Sequence, residues 1–146
     1  LMLDTGAVVD GYFCDFDRNF AIGPASEAAR RAHAALYAAT ETALSELRPG
    51  MTAADLHGVL ATALRAERAT PLAGRLGHGL GVTLTEWPSL TAKDDTPLRE
   101  GMVLTLEPGV EIAPGRIMVH EENIVLRADG PDLLSTRTPP ELPEIV

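Results

Sequence analysis

The chain of 146 residues contains a single cysteine, Cys14. No internal disulfide can form, and a reducing, cytoplasmic setting is the expectation. Basic residues are also scarce, with 12 Lys and Arg against 21 Asp and Glu for a formal net charge of -9. A polyanion is repelled by phosphate backbones and by anionic lipid headgroups, so neither nucleic acid nor such a membrane is an expected partner. No run of about eighteen apolar residues occurs, and Leu1 to Val9 is interrupted by Asp4 and Gly6, so no membrane-spanning helix or secretory leader is expected. An initiator Met is absent and the chain opens in a β-type run, from which we expect sequence to precede Leu1. Low-complexity segments and short-period repeats are missing too. What is left has the length of about one domain.

Asp10-Gly11 lies between two β-type runs, residues 1 to 9 and 12 to 20. Both positions tolerate positive φ, so a tight two-residue hairpin is expected. Counting back from that loop pairs Val9 with Tyr12, Gly6 with Asp15 and Asp4 with Asp17. Because side chains alternate, Asp4, Gly6, Asp15 and Asp17 share one face, and Cys14 takes the other. Asp4 and Asp15 become diagonal neighbours roughly 7–8 Å apart at the backbone, with Gly6 leaving the space between them open.

An Ala-rich stretch from Ser26 to about Leu47 carries Leu36, Tyr37, Thr40, Leu44 and Leu47 at helical spacing and stops at Pro49-Gly50. Thr52 and Asp55 form a capping-box pattern ahead of a second apolar stripe through Leu56, Val59, Leu60, Ala63 and Leu64. An antiparallel helix pair packed on a sheet is the expectation, with His33 and His57 at its surface or core edge. Met102 to Glu107 and Ile117 to Leu126 read as two further strands around a turn at Pro114-Gly115. Val103, Thr105 and Glu107 share a face of one; His120 and Glu122 share a face of the other, with Glu121 opposite. Thr138 to Val146 reads as an extended, proline-rich surface tail.

Asp4, Asp15, His78, Glu107 and Glu122 are candidate metal ligands. Four carboxylates and an imidazole suit two hard or borderline divalent cations sharing one activated water, which makes a hydrolase the first hypothesis. Glycines at 77, 79 and 81 strip bulk from around His78 and suit close approach of a metal or substrate. Asp4-Thr5-Gly6 is also the signature of aspartic peptidases, but the long helical stretch and the lack of a second such motif oppose that reading.

The blocks LDTGAVVDGYFCDFDR, GHGLGVTLTEWP, GMVLTLEPG and MVHEENIVL together resemble the pita-bread metallopeptidase family (M24), which spans methionine aminopeptidase, Xaa-Pro aminopeptidase, prolidase and creatinase. They occur in the family's order and cover nearly the whole chain. GMVLTLEPG and the PPELP ending are most similar to the Xaa-Pro peptidase branch. The resemblance implies a pseudo-twofold α/β (α+β) pita-bread fold, incomplete at its N-terminus, with residues 1–146 the C-terminal portion of one catalytic domain. It implies that Asp4 binds one of two divalent ions, that Asp15 and Glu122 bridge both, and that His78 and Glu107 complete the first ion's shell. Manganese comes first, with cobalt, zinc or iron possible. It further implies that a metal-bridging hydroxide cleaves an amide bond with Glu107 as general base and proton shuttle, that the substrate is a peptide or small amide, and that the full-length protein is a homodimer.

Three positions depart from the family pattern. Thr85 stands where its peptidases carry a second His, seven residues after His78, and is a candidate catalytic group only as a weaker donor; losing such a donor commonly costs about 10²–10³ in rate. Asp17 stands where Thr or Ser is usual, and reads as an added ligand, a partner of Arg18 or a solvated acid. His120 stands where proline-specific members often carry Arg, and reads as a catalytic second donor or as packing. These departures keep two alternatives open: a member acting on a small non-peptide metabolite as a C–N hydrolase or lyase, and an inactive metal-free homologue.

Overall fold

A computed structural model describes all 146 residues. Strands β1 (Met2–Val9) and β2 (Tyr12–Asn19) form an antiparallel hairpin with Val9 opposite Tyr12, Gly6 opposite Asp15 and Asp4 opposite Asp17. Asp10 and Gly11 turn it with φ of 52° and 85°, so the register counted from the sequence holds. Gly6 serves a different purpose from the one expected. A Cβ there would lie 2.2 Å from the Cys14 carbonyl oxygen, so glycine admits the partner strand's backbone rather than a cation.

After the short strand β3 (Ala21–Ile22), α1 (Glu27–Glu46) begins at Ser26, whose hydroxyl accepts from the Ala29 amide. Helix α2 (Ala53–Ala66) begins with the expected capping box, in which the Asp55 amide donates to Thr52 Oγ1 at 3.0 Å and the Thr52 amide donates to Asp55 Oδ2 at 2.9 Å. The two helices pack together. Their apolar stripes meet one side of a five-stranded sheet built from β4 (Gly77–Gly79), β5 (Glu86–Ser89), β6 (Val103–Leu106), β9 (Glu122–Arg127) and β10 (Gly130–Leu133), in the order β10-β9-β6-β4-β5. Leu36, Leu56, Leu60 and Leu64 from the helices join Leu104, Leu106, Ile124 and Leu126 from the sheet in one fully buried core. Burying each such side chain contributes about 1.5–3 kcal/mol. Alternation along β6 and β9 turns Thr105 and Asn123 to the other side. There Asn123 joins the sheet to β2, accepting from the Asp15 amide and donating to the Asp15 carbonyl.

Ile117 to Leu126 is not the single strand expected. Strands β7 (Gly109–Ala113) and β8 (Arg116–Val119) form a separate hairpin, and the chain re-enters the main sheet only at β9. The His120 amide donates to the Pro108 carbonyl at this junction. On re-entry Glu122 lies opposite Leu106 and Asn123 opposite Thr105. The tail is extended as expected, with β11 (Glu144–Ile145) pairing in parallel with β3 and Leu142 buried in the core.

Two glycines separate close approach from simple flexibility. In the full-length protein, Gly6→Ala should lower unfolding free energy by about 1–3 kcal/mol through the clash with Cys14. Gly58→Ala, in α2 with open space around its Cβ position, should raise it by about 0.5–1 kcal/mol. Chemical denaturation of both variants checks the opposite signs.

Candidate metal centre

Four separate segments deliver acids and one imidazole to the side of the sheet facing the hairpin. β1 carries Asp4, which is exposed, and β2 carries Asp15 and Asp17 on the same face. His78 comes from β4 with its ring almost fully buried, and Glu107 follows β6 directly. His78 Nε2 lies 3.9 Å from Asp15 Oδ2 and 3.7 Å from Glu107 Oε2. Its Nδ1 lies 2.8 Å from the Gly79 carbonyl oxygen. A carbonyl can only accept, so Nδ1 carries a proton there, and Nε2 is the ring nitrogen turned toward the acids. The glycines beside His78 fit against backbone: a Cβ at Gly77, where φ is +143°, would lie 2.2 Å from the Thr105 carbonyl oxygen, and one at Gly79 2.5 Å from that of Trp87. Their absent side chains bring strands together around the imidazole.

The fifth position needs correcting. Glu121, rather than Glu122, joins this group: Asp15, His78 and Glu121 each offer a ligand atom within 4.8 Å of the others. The reason is register. Leu106 opposite Glu122 places Glu122 on the core-facing side, while the positions opposite and beyond Thr105 turn toward the hairpin. Glu122, fully buried, instead pairs with Arg18 Nη2 at 3.0 Å, accepts from the Thr138 amide at 3.0 Å and lies 3.3 Å from His120 Nε2. Although burial opposes ionisation, His120, the Thr138 amide and Arg18 hold its carboxyl below the ordinary glutamate range. Arg18 Nη1 also donates to the Glu121 carbonyl at 2.7 Å, so this buried network behind the site fixes the main chain that carries Glu121.

His120 and Thr85 both stand apart from the acids. The His120 ring faces α1, with ring centroids of His33 at 6.2 Å and Tyr37 at 6.3 Å, because it shares the orientation of Glu122 rather than that of Glu121. Burial pushes its pKa down against the opposing pull of Glu122. Thr85 is exposed in the bend before β5, with its carbonyl accepting from the Thr83 hydroxyl, and no hydrogen bond joins its side chain to the acids. Sequence reasoning missed Glu121 and the Arg18–Glu122 network. The strand register across β6 and β9 would have revealed both, but the β7/β8 excursion hides it from a residue count.

The charges facing one another are almost all negative. Burial, then Asp4, Glu107 and Asp15, raise the Asp17 pKa to about 7. Burial, then Asp15, Glu107, Asp17 and Asp4, raise that of Glu121 to about 9. Asp15 is raised by burial and Asp4, and Glu107 by burial, with Arg75 and His78 opposing in both cases. Arg75 Nε stands 3.5 Å from Glu107 Oε2, too long for a good hydrogen bond. Asp17 Oδ1, Glu107 Oε2 and Glu121 Oε1 are buried without hydrogen-bond partners. Two carboxylates 4 Å apart repel by about 4 kcal/mol at an effective dielectric of 20, and a cation between them reverses the sign. Oxygen donors with one imidazole are the donor set of a divalent cation site, so these residues fit such ions.

The model of Metallopeptidase family M24 matches residues 1–128. The chain belongs to metallopeptidase family M24. Among M24 relatives, it is 31% identical over 143 residues to an Xaa-Pro dipeptidase of Pyrococcus furiosus, covering 97% of this chain and 41% of that protein. It is 35% identical over 132 residues to an Xaa-Pro dipeptidase of Lactobacillus delbrueckii subsp. lactis, covering 89% of this chain and 36% of that protein. The X-Pro aminopeptidase of Thermotoga maritima superposes with a TM-score of 0.90 at 30% identity, across 99% of this chain and 41% of that one. The M24 methionine aminopeptidase of Rickettsia prowazekii, at 20% identity, shares the fold with a TM-score of 0.80. The fold is thus that of the pita-bread M24 enzymes, and the chain spans about two fifths of the length of the relatives named first. M24 membership implies divalent metal ions, in agreement with the unpartnered carboxylate oxygens. No helix is long and apolar enough to cross a membrane.

Crowded acids give the metal-free protein a definite pH dependence. Asp17 rises from 3.8 to about 7 and Glu121 from 4.5 to about 9 on folding. The folded state therefore binds more protons than the unfolded state in that interval, and stability is lost as pH rises through it. Thermal unfolding of the metal-stripped full-length protein should show Tm falling across this window, with a smaller fall after manganese loading. A flat Tm for the stripped protein would contradict the crowding.

Proposed function

We propose that the full-length protein is a dinuclear metal-dependent hydrolase of the Xaa-Pro dipeptidase or aminopeptidase type. The observation that carries this reading is the buried convergence of Asp15, His78 and Glu121, with Glu107 3.7 Å from the same imidazole nitrogen. The names of the M24 relatives support the substrate class. Residues 1–146 are read as the C-terminal part of one catalytic domain, a reading supported by the order of the sequence blocks. A cytoplasmic homodimer is part of the same proposal, supported by the lone Cys14 and by the family resemblance.

Asp4, Asp15, His78, Glu107 and Glu121 would hold two divalent cations, with manganese first and cobalt, zinc or iron suited to the same donors. Cations bound there supply Lewis acidity and lower the pKa of a water. The chain's own groups supply orientation and proton transfer. Glu107 has a buried, otherwise unpartnered Oε2 and a carboxyl raised by burial. It takes a proton there from the attacking water and returns it to the leaving amine nitrogen as the C–N bond breaks. Gly79 fixes the His78 ring through Nδ1, and Arg18 fixes the main chain of Glu121, while Arg75 stands back at 3.5 Å from Glu107. A second reading, a small non-peptide amide or other C–N substrate, is favoured by the exposed Thr85 where peptidases of the family carry His.

The test compares Xaa-Pro dipeptides, longer Xaa-Pro peptides and small amides as substrates of the manganese-loaded full-length protein. Proline-peptide turnover supports the first reading, turnover of small amides alone supports the second, and a folded, metal-loaded protein inert to all three contradicts both. Neighbouring variants test the ligand correction. Glu121→Gln should fold and lose metal affinity by at least about 10–100-fold. Glu122→Gln should keep the metal stoichiometry but lose about 1.5–3 kcal/mol of stability, because it leaves the part-buried Arg18 charge without its partner. Reversed phenotypes would return the ligand role to Glu122.

A further inference from the structure

Asp17 is a buried acid outside the ligand set named above. It stands directly opposite Asp4 in the hairpin and shares the face of Asp15 two residues away. Like charges directly opposite on paired strands repel, so the pairing calls for a counter-charge. The guanidinium next in sequence makes no ion pair with it: Arg18 spends its donors on the Glu122 carboxylate and on the carbonyls of Glu121 and Thr136, and from Asp17 takes only the main-chain carbonyl. Nor does water, because Asp17 is 4% exposed and its Oδ1 is buried without a hydrogen-bond partner. Of the three readings open from sequence, the Arg18 pair and the solvated acid are both removed.

We propose that Asp17 is an additional metal ligand, donating a carboxylate oxygen to the ion held by Asp4. The inference rests on the metal-dependent reading above and deepens it. A neutral hydroxyl at this position would be a weaker oxygen donor. A further carboxylate adds negative charge and raises the number of oxygen donors around that ion, which favours manganese, at home with oxygen ligands in higher coordination, over zinc, which prefers four ligands including nitrogen or sulfur. The Asp4 side of the centre is then held by two acids facing each other across the hairpin.

The experiment strips metal from the full-length wild type and from Asp17→Asn and Asp17→Thr, then titrates each with Mn²⁺ and with Zn²⁺ by calorimetry. Expected for the wild type are two manganese ions per chain; for both variants, the weaker ion should lose at least about tenfold in affinity. Zinc should lose less, so the manganese-to-zinc preference falls. A crystal structure of the manganese-loaded wild type reads the same point without a variant, and should place an Asp17 carboxylate oxygen in coordination contact. Folded variants that keep wild-type manganese affinity at both sites, or an Asp17 out of contact in that crystal, would overturn the proposal while leaving the metal centre intact. A wild type that binds neither metal would overturn both.

Discussion

Carboxylates crowded without a matching cation from the chain dominate this molecule. Asp15, Asp17, Glu107 and Glu121 sit on one side of the sheet, and the nearest positive groups are spent elsewhere or stand back: Arg18 behind the sheet strand, Arg75 at a long 3.5 Å from Glu107. A fold burying such a cluster must offset its self-repulsion through the rest of its packing. The Leu-rich core between the helix pair and the sheet is well placed to do so, because it lies on the opposite side of the same strands. The alternation of β6 and β9 is what couples the two, with Leu104, Leu106, Ile124 and Leu126 on one side and Thr105 and Asn123 on the other. Moving either strand by one residue would exchange the two surfaces.

Legibility of the site followed distance along the chain. The Asp4, Asp15 and Asp17 alignment came directly from the two-residue Asp10-Gly11 turn, since a loop that short leaves one register. The helices were equally plain from their stripes and from the Thr52–Asp55 box. Glu121 was not legible. Thirteen residues separate it from Glu107, and they include a hairpin of their own, so no count from a turn could fix which of two adjacent glutamates faces inward. His120 shares the face of Glu122 as expected, and turns with it away from the acids. Gly6 and Gly77 were correctly singled out but for the wrong cause, because close approach of a neighbouring backbone leaves no mark in sequence distinct from space for a ligand.

The two sides of the chain at its entry into β9 also divide the labour of the site. Glu121 faces the acids, while Glu122, one residue on, faces Arg18, His120 and the Thr138 amide. Adjacent residues of like charge thus have opposite electrostatic fates. Glu121 is destabilised as an anion by its neighbours, and Glu122 is held as one by its donors. The second supports the first through the main chain, since the guanidinium that pairs with Glu122 also binds the Glu121 carbonyl.

That support includes residues far downstream. The Thr138 amide and the Thr136 carbonyl close the network around Glu122 and Arg18, and beyond them Leu142 enters the core and β11 locks onto β3. During synthesis, all the acids and His78 have left the ribosome before this closing segment appears. A nascent chain therefore carries Asp15, His78, Glu107 and Glu121 while the network that fixes the Glu121 main chain is still open. The final arrangement of these side chains is in this sense a late event of folding, timed by the emergence of the tail rather than by that of the acids themselves.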